Sequence, residues 1–157
     1  MLIPIPGLLQ IPISFFMHTT VTFHEKLPLY GTNADGLKTL FDASSDLLGP
    51  GGSAASPMDT VLESVGACSM MDIISILKKM RKVLITLEAD LDAQRAEEHP
   101  KVFTAMQIKY RLTSPDCTLA DLEKAVRLSM ETYCSVAAMI RASGCVITWS
   151  TELVQMS

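Results

Sequence analysis

The strongest constraint in this chain is the stretch Ser56 to Arg81, one long helical signal with a cysteine near its middle. Ser56 suits a helix N-cap, Pro57 the first helical position, and Asp59 can return a hydrogen bond to the cap backbone. Val61, Leu62, Val65, Met70, Ile73, Ile74 and Leu77 then recur at spacings of three and four, with few opposing charges until Lys78, Lys79 and Arg81. That basic cluster complements the helix dipole. A helix so apolar over most of its length has to be central and largely covered, by a sheet, another helix or a partner subunit. Cys68 shares a side with Val61 and Val65, so the question is whether its thiol is core packing or half of a reactive pair.

Upstream, Thr19 to Phe23 is a β-branched and aromatic run that reads as a strand reaching back toward Ile13. His24 to Pro28 breaks it, Leu29 and Tyr30 start a second short strand, Gly31 to Gly36 is a turn, and Leu37 to Phe41 is a third strand. Together they predict an antiparallel meander, followed by a loop rich in Ser, Asp, Gly, Pro and Ala from Asp42 to Ala55. Downstream, Val83 to Asp92 alternates apolar and polar residues as a half-solvated strand does, and Gln94 to Pro100 is a charged connection. Phe103 to Leu112 alternates again but slips phase between Ala105 and Ile108, which a β-bulge would explain; the two runs should pair as a hairpin. Thr118 with Asp121 carries a capping-box signature before a helix from Leu119 to Glu131. Tyr133, Cys134 and Ser135 interrupt the pattern, Val136 to Arg141 resumes it, Ser143 and Gly144 stop it, and Cys145 to Leu153 reads as a final strand.

The length and this element order fit one domain over residues 18–157, preceded by an apolar arm from Met1 to Met17. Pro4, Pro6 and Pro12 argue against a membrane span in the arm, and a basic segment of the signal-peptide kind is missing from it, so no membrane role and a cytoplasmic location are expected. The net charge of -4, with no long basic run, argues against a nucleic-acid partner. Ten methionines and a hydrophobic content of 48% leave room for a buried subunit interface or an apolar pocket. The four cysteines form no C-x-x-C pair, and with only three histidines they match no zinc pattern, so no metal is expected. No G-x-G-x-x-G or G-x-x-x-x-G-K motif points to a bound nucleotide.

Among the thiols, Cys134 stands where one helix ends and the next begins. Helix-start amides aimed at its sulfur would lower its pKa and make it a ready nucleophile. The plainer reading is a packed thiol between Tyr133 and Val136. Cys68, inside the apolar helix, is expected to be kept protonated by burial. Spacing does not say whether the two approach closely enough for a disulfide. Asp59 has a sufficient task in capping, although a carboxylate at a helix start beside a pocket can also hold a catalytic cation. Asp72, four residues after Cys68, can share its face, where its charge would oppose thiolate formation. Glu63 and Glu131 read as surface or ion-pair carboxylates, His18, His24 and His99 lie at neither ligand nor triad spacing, and Cys117 and Cys145 are unassigned thiols.

Two segments resemble the OsmC/Ohr superfamily of organic hydroperoxide reductases and related proteins. Ser56-Pro57-Met58-Asp59-Thr60-Val61-Leu62 through Gly66-Ala67-Cys68-Ser69-Met70-Met71-Asp72 and on to Ile76-Leu77-Lys78-Lys79 is similar to its central helix. Glu131-Thr132-Tyr133-Cys134-Ser135-Val136 is similar to its second cysteine motif, in the form of the less characterised branch that reads Y-C-S-V. The resemblance implies an OsmC-like α+β fold of antiparallel sheets around a long central helix, assembled as an intertwined homodimer with two sites at the subunit boundary. It implies that Cys68 is the peroxidatic cysteine, that Cys134 resolves its sulfenic acid as a disulfide, and that an external thiol or dithiol restores both, with no bound cofactor or metal. The superfamily's peroxidases also pair an N-terminal arginine with a glutamate near the start of the central helix. Here no arginine precedes Arg81, Met58 stands at the glutamate position, and Asp59 is a shifted, shorter substitute, so Cys68, Cys134 and Asp59 are the candidate catalytic residues. The alternative is a non-enzymatic carrier holding a small apolar ligand at a dimer interface.

Overall fold

The computed structural model describes residues 17–43, 45 and 48–155, so the apolar arm, except for Met17, lies outside the described residues. The chain divides into two compact units, Met1–Pro57 and Met58–Ser157.

The first unit is a three-stranded antiparallel meander of β1 (Thr19–His24), β2 (Lys26–Asn33) and β3 (Lys38–Phe41), in the order β1-β2-β3. The meander follows the sequence reading, but the second strand is longer at both ends. The expected break from His24 to Pro28 contracts to Glu25, whose φ of 63° turns the chain in one residue. The second turn is fastened by Asn33, whose side-chain oxygen accepts the amide hydrogens of Asp35 and Leu37. In the loop that follows, Asp42 accepts from the Ala43 amide and from both the amide and hydroxyl of Ser53, which draws the two ends of the loop together.

The second unit is built on α1 (Pro57–Lys79), which ends two residues before its signal does because the chain leaves the helix at Met80 and Arg81 takes a φ of 62°. By length and composition α1 would suffice to cross a membrane, but Val65, Ser69, Ile73 and Leu77, spaced by four, are fully buried in the core of this unit. They pack with the inner face of a second sheet, made by β4 (Thr86–Arg95), β5 (Phe103–Ser114) and β6 (Val146–Gln155) in the order β4-β5-β6. Met106, Ile108, Tyr110 and Leu112 of β5 are buried at period two, and Leu87, Ala89 and Leu91 of β4 pack against the same core. The outer face is charged, with Lys109 and Arg111 of β5 paired to Glu152 of β6. Gly66 lies against Leu91: a Cβ there would come within 2.9 Å of the Leu91 side chain, so the missing side chain lets α1 approach the sheet just before Cys68.

The phase slip in β5 is a bulge. Pairing shifts from Gln94↔Ala105 to Arg95↔Phe103, which leaves Thr104 unpaired and puts Met106, not Ala105, on the inner face. The sheets are not antiparallel throughout: β4 and β5 are, but β5 and β6 run parallel. The helices α2 (Leu119–Leu128) and α3 (Ser135–Ala142) between those strands carry the chain back to the same end, as a parallel pairing requires. The expected capping box is formed, with the Thr118 hydroxyl accepting from the Asp121 amide and the Asp121 carboxylate accepting from the Thr118 amide. The helix expected to run to Glu131 instead widens at Ser129 into a π-helical turn, Ser129–Tyr133.

Candidate active site

The π-helical turn sets the geometry of the site. It ends with the Cys134 amide donating to the Ser129 carbonyl at 2.8 Å, and Cys134 leaves it with extended backbone to become the N-cap of α3. The extra residue per turn inserts the cysteine between two helices without unwinding either, a device often found at functional sites. Arg141, in the last turn of α3, reaches back to donate to the Met130 carbonyl inside the π turn.

This brings together two thiols far apart in the sequence. Cys68 Sγ, Cys134 Sγ and a carboxylate oxygen of Asp72 lie within 4.8 Å of one another. Cys68 is half-buried, Cys134 is buried with 3% of its surface exposed, and neither is in a disulfide. Asp72 shares the face of α1 with Cys68, as its spacing predicts, and a cavity of about 360 Å³ adjoins it, lined by Ile76, Met80, Lys124, Leu128 and Tyr133. Asp59 is not brought to the pair. It is exposed in the first turn of α1, nine residues before Cys68, a rise of about 13 Å along a helix.

The amide expected to activate Cys134 is present, but the thiol is not acidified. The Ala137 amide donates to Cys134 Sγ at 3.4 Å, which favours the thiolate. Burial opposes it and wins: the Cys134 thiol is pushed up to about 11, chiefly by loss of water, with further contributions from the Cys68 thiol and the Asp72 charge. The helix-start argument identifies a real interaction and misjudges its weight, because one amide cannot replace the hydration that a buried thiolate loses.

Three residues that do not stand out in the sequence hold the site from below. The Tyr110 hydroxyl donates to Ser69 Oγ at 2.7 Å and lies 3.4 Å from Met130 Sδ, while Ser69 Oγ donates to the Gly66 carbonyl at 2.9 Å. Burial pushes the Tyr110 phenol up to about 12, so it stays a donor. The Ser129 hydroxyl points between the Ser69 carbonyl at 3.2 Å and Asp72 Oδ2 at 3.1 Å, linking the π turn to α1. The available signal was a serine lying within each apolar stripe, Ser69 in α1 and Ser129 beside Met130, where an unpaired hydroxyl would be costly.

A long core helix lying on a sheet, with a thiol on that helix facing a second thiol at a helix junction, defines a class, and comparison with known proteins agrees with it. The profile of the OsmC-like protein family matches residues 49–150, and the chain belongs to that family. It is 38% identical to Protein YhfA of Escherichia coli (strain K12) over 138 residues, 88% of this chain and 98% of that protein. Among solved structures it is similar to a hypothetical protein from Aquifex aeolicus VF5, with a TM-score of 0.73 and 28% identity over 89% of this chain and 98% of the other. The organic hydroperoxide resistance protein OhrB of Bacillus subtilis shares the fold, with a TM-score of 0.57 and 15% identity over 90% of this chain and 99% of the other.

Proposed function

We propose that this protein reduces organic hydroperoxides through a redox-active cysteine pair, with Cys68 peroxidatic and Cys134 resolving. The observation that carries this reading is the placement of both sulfurs within 4.8 Å of each other, one half-buried and the other buried, together with Asp72, which lines a cavity. Membership of a family whose structural relatives include proteins named for organic hydroperoxide resistance supports it.

The Cys68 thiolate attacks the distal peroxide oxygen, the O–O bond breaks, and the alkoxide takes a proton to leave as an alcohol. Cys68 is then a sulfenic acid. Cys134 attacks that sulfur, its proton and the sulfenic hydroxyl leave as water, and a disulfide remains. An external dithiol or thiol reduces it by exchange. The buried, protonated Cys134 suits the second role: it stays quiet until a sulfenic sulfur forms beside it. The protein works as a homodimer, a reading supported by the exposure of Met71 (71%), Tyr133 (57%) and Met139 (64%) on and around the helices that carry the site.

A second reading, a carrier of a small apolar ligand without turnover, is favoured by the Asp72 charge beside the thiols, which opposes thiolate formation. Consumption of cumene hydroperoxide by the reduced protein, with dithiothreitol as reductant, separates the two. Turnover that disappears in Cys68→Ser is expected. Turnover unchanged in that variant overturns the peroxidatic assignment.

A further inference from the structure

Cys68, Asp72 and Cys134 form a donor set that the peroxide chemistry uses only in part. We propose that the reduced protein binds one thiophilic divalent cation of the zinc class through Cys68 Sγ, Cys134 Sγ and the Asp72 carboxylate, with a coordination position left open toward the adjoining cavity.

The geometry is close to what such an ion requires. The three donor atoms lie within 4.8 Å of one another. Tetrahedral zinc, with bonds of about 2.3 Å to sulfur and about 2.1 Å to oxygen, holds its ligands roughly 3.4 to 3.8 Å apart. Reaching that spacing takes donor shifts of about 1 Å. Two thiolates and one carboxylate select a borderline-soft ion such as zinc or cadmium over magnesium or calcium, which take oxygen ligands.

The surroundings orient the ligands as an outer shell does. Ser129 donates to Asp72 Oδ2 at 3.1 Å, and the Ala137 amide donates to Cys134 Sγ at 3.4 Å. Three anionic ligands this close together repel one another, and a dication between them removes the repulsion. Binding balances as one dication and two thiols giving a dithiolate complex and two protons, so affinity rises with pH.

Sequence spacing conceals the set, because Cys134 comes from a distant helix junction. One consequence rests on the redox reading: the disulfide uses both thiolate sulfurs, so oxidation expels the ion and the bound ion shields the pair from peroxide.

The test is titration of the reduced, desalted protein with cobalt(II) alone. A thiolate-to-cobalt charge-transfer band saturating at one equivalent, displaced by zinc, is expected. It should be lost in Cys68→Ser and Cys134→Ser, weakened about tenfold or more in Asp72→Asn, and unchanged in Cys117→Ser. No band, or an equal band in both the Cys68 and Cys134 variants, overturns the site. Should a variant fail to fold, the wild-type protein decides: one equivalent of zinc must slow alkylation of Cys68 and Cys134, read by peptide mass, and equal labelling with and without zinc overturns the site. A protein that shows the band but consumes no hydroperoxide keeps the metal site and loses the redox reading. One that consumes hydroperoxide but shows no band does the reverse.

Discussion

The backbone amide of Ala137 donates to the sulfur of Cys134 across the first turn of α3, 3.4 Å away, yet the thiol remains protonated at neutral pH. Burial outweighs the helix start, and this balance can be tested by reactivity. In the reduced protein, Cys134 is expected to alkylate slowly near pH 8 and to gain about tenfold in rate per pH unit until its pKa near 11. Asp72→Asn removes one of the charges that raise that pKa and should move the profile to lower pH. Peptide-resolved iodoacetamide labelling measures both; a Cys134 rate already at its plateau by pH 8 contradicts the assignment.

The two cysteines should fail differently. Cys68→Ser is expected to consume no hydroperoxide. Cys134→Ser should complete one turnover, leaving a sulfenic acid on Cys68 that dimedone traps and intact mass detects, and then slow severely because no resolving thiol is in place. Sustained wild-type turnover in Cys134→Ser would show that Cys134 is not the resolving residue.

Leu77 is fully buried in the core of the second unit. Truncation to Ala removes packed methyl groups and leaves a void, so a loss of about 2 to 5 kcal/mol in urea unfolding is expected. A loss below about 0.5 kcal/mol would mean that this face of α1 is not packed.

Asp121 accepts hydrogen bonds from the Thr118 hydroxyl and amide and pairs with Lys82 at 3.0 Å, interactions that hold its carboxyl at about 2, below the ordinary 3.8. Its folded-state pKa is depressed, so its contribution is complete above about pH 4 and is lost as pH falls toward 2. The melting temperature of the wild-type protein should therefore drop faster over that interval than that of Asp121→Asn, which starts lower at neutral pH. Parallel curves would show that the cap and ion pair carry no stability. Thr118→Ala should cost about 1 kcal/mol by removing the side chain that caps α2.

Local chemistry read from the sequence accounts for much of this protein. The spacing of Val65, Ile73 and Leu77 marked the buried stripe of α1, Thr118 and Asp121 marked the start of α2, and the phase slip read between Ala105 and Ile108 signalled a bulge in β5 that lies slightly earlier, at Thr104. These signals operate within a few residues, where backbone geometry links sequence to structure directly. Three other features required the whole fold. The parallel pairing of β5 with β6 depends on where two helices deliver the chain, which no strand pattern encodes. The π turn at Ser129 has no capping or spacing motif of its own in the sequence. The protonation of Cys134 reflects a competition between one nearby amide, visible in the motif, and the removal of water by surrounding side chains, which is settled only when distant segments close around the sulfur.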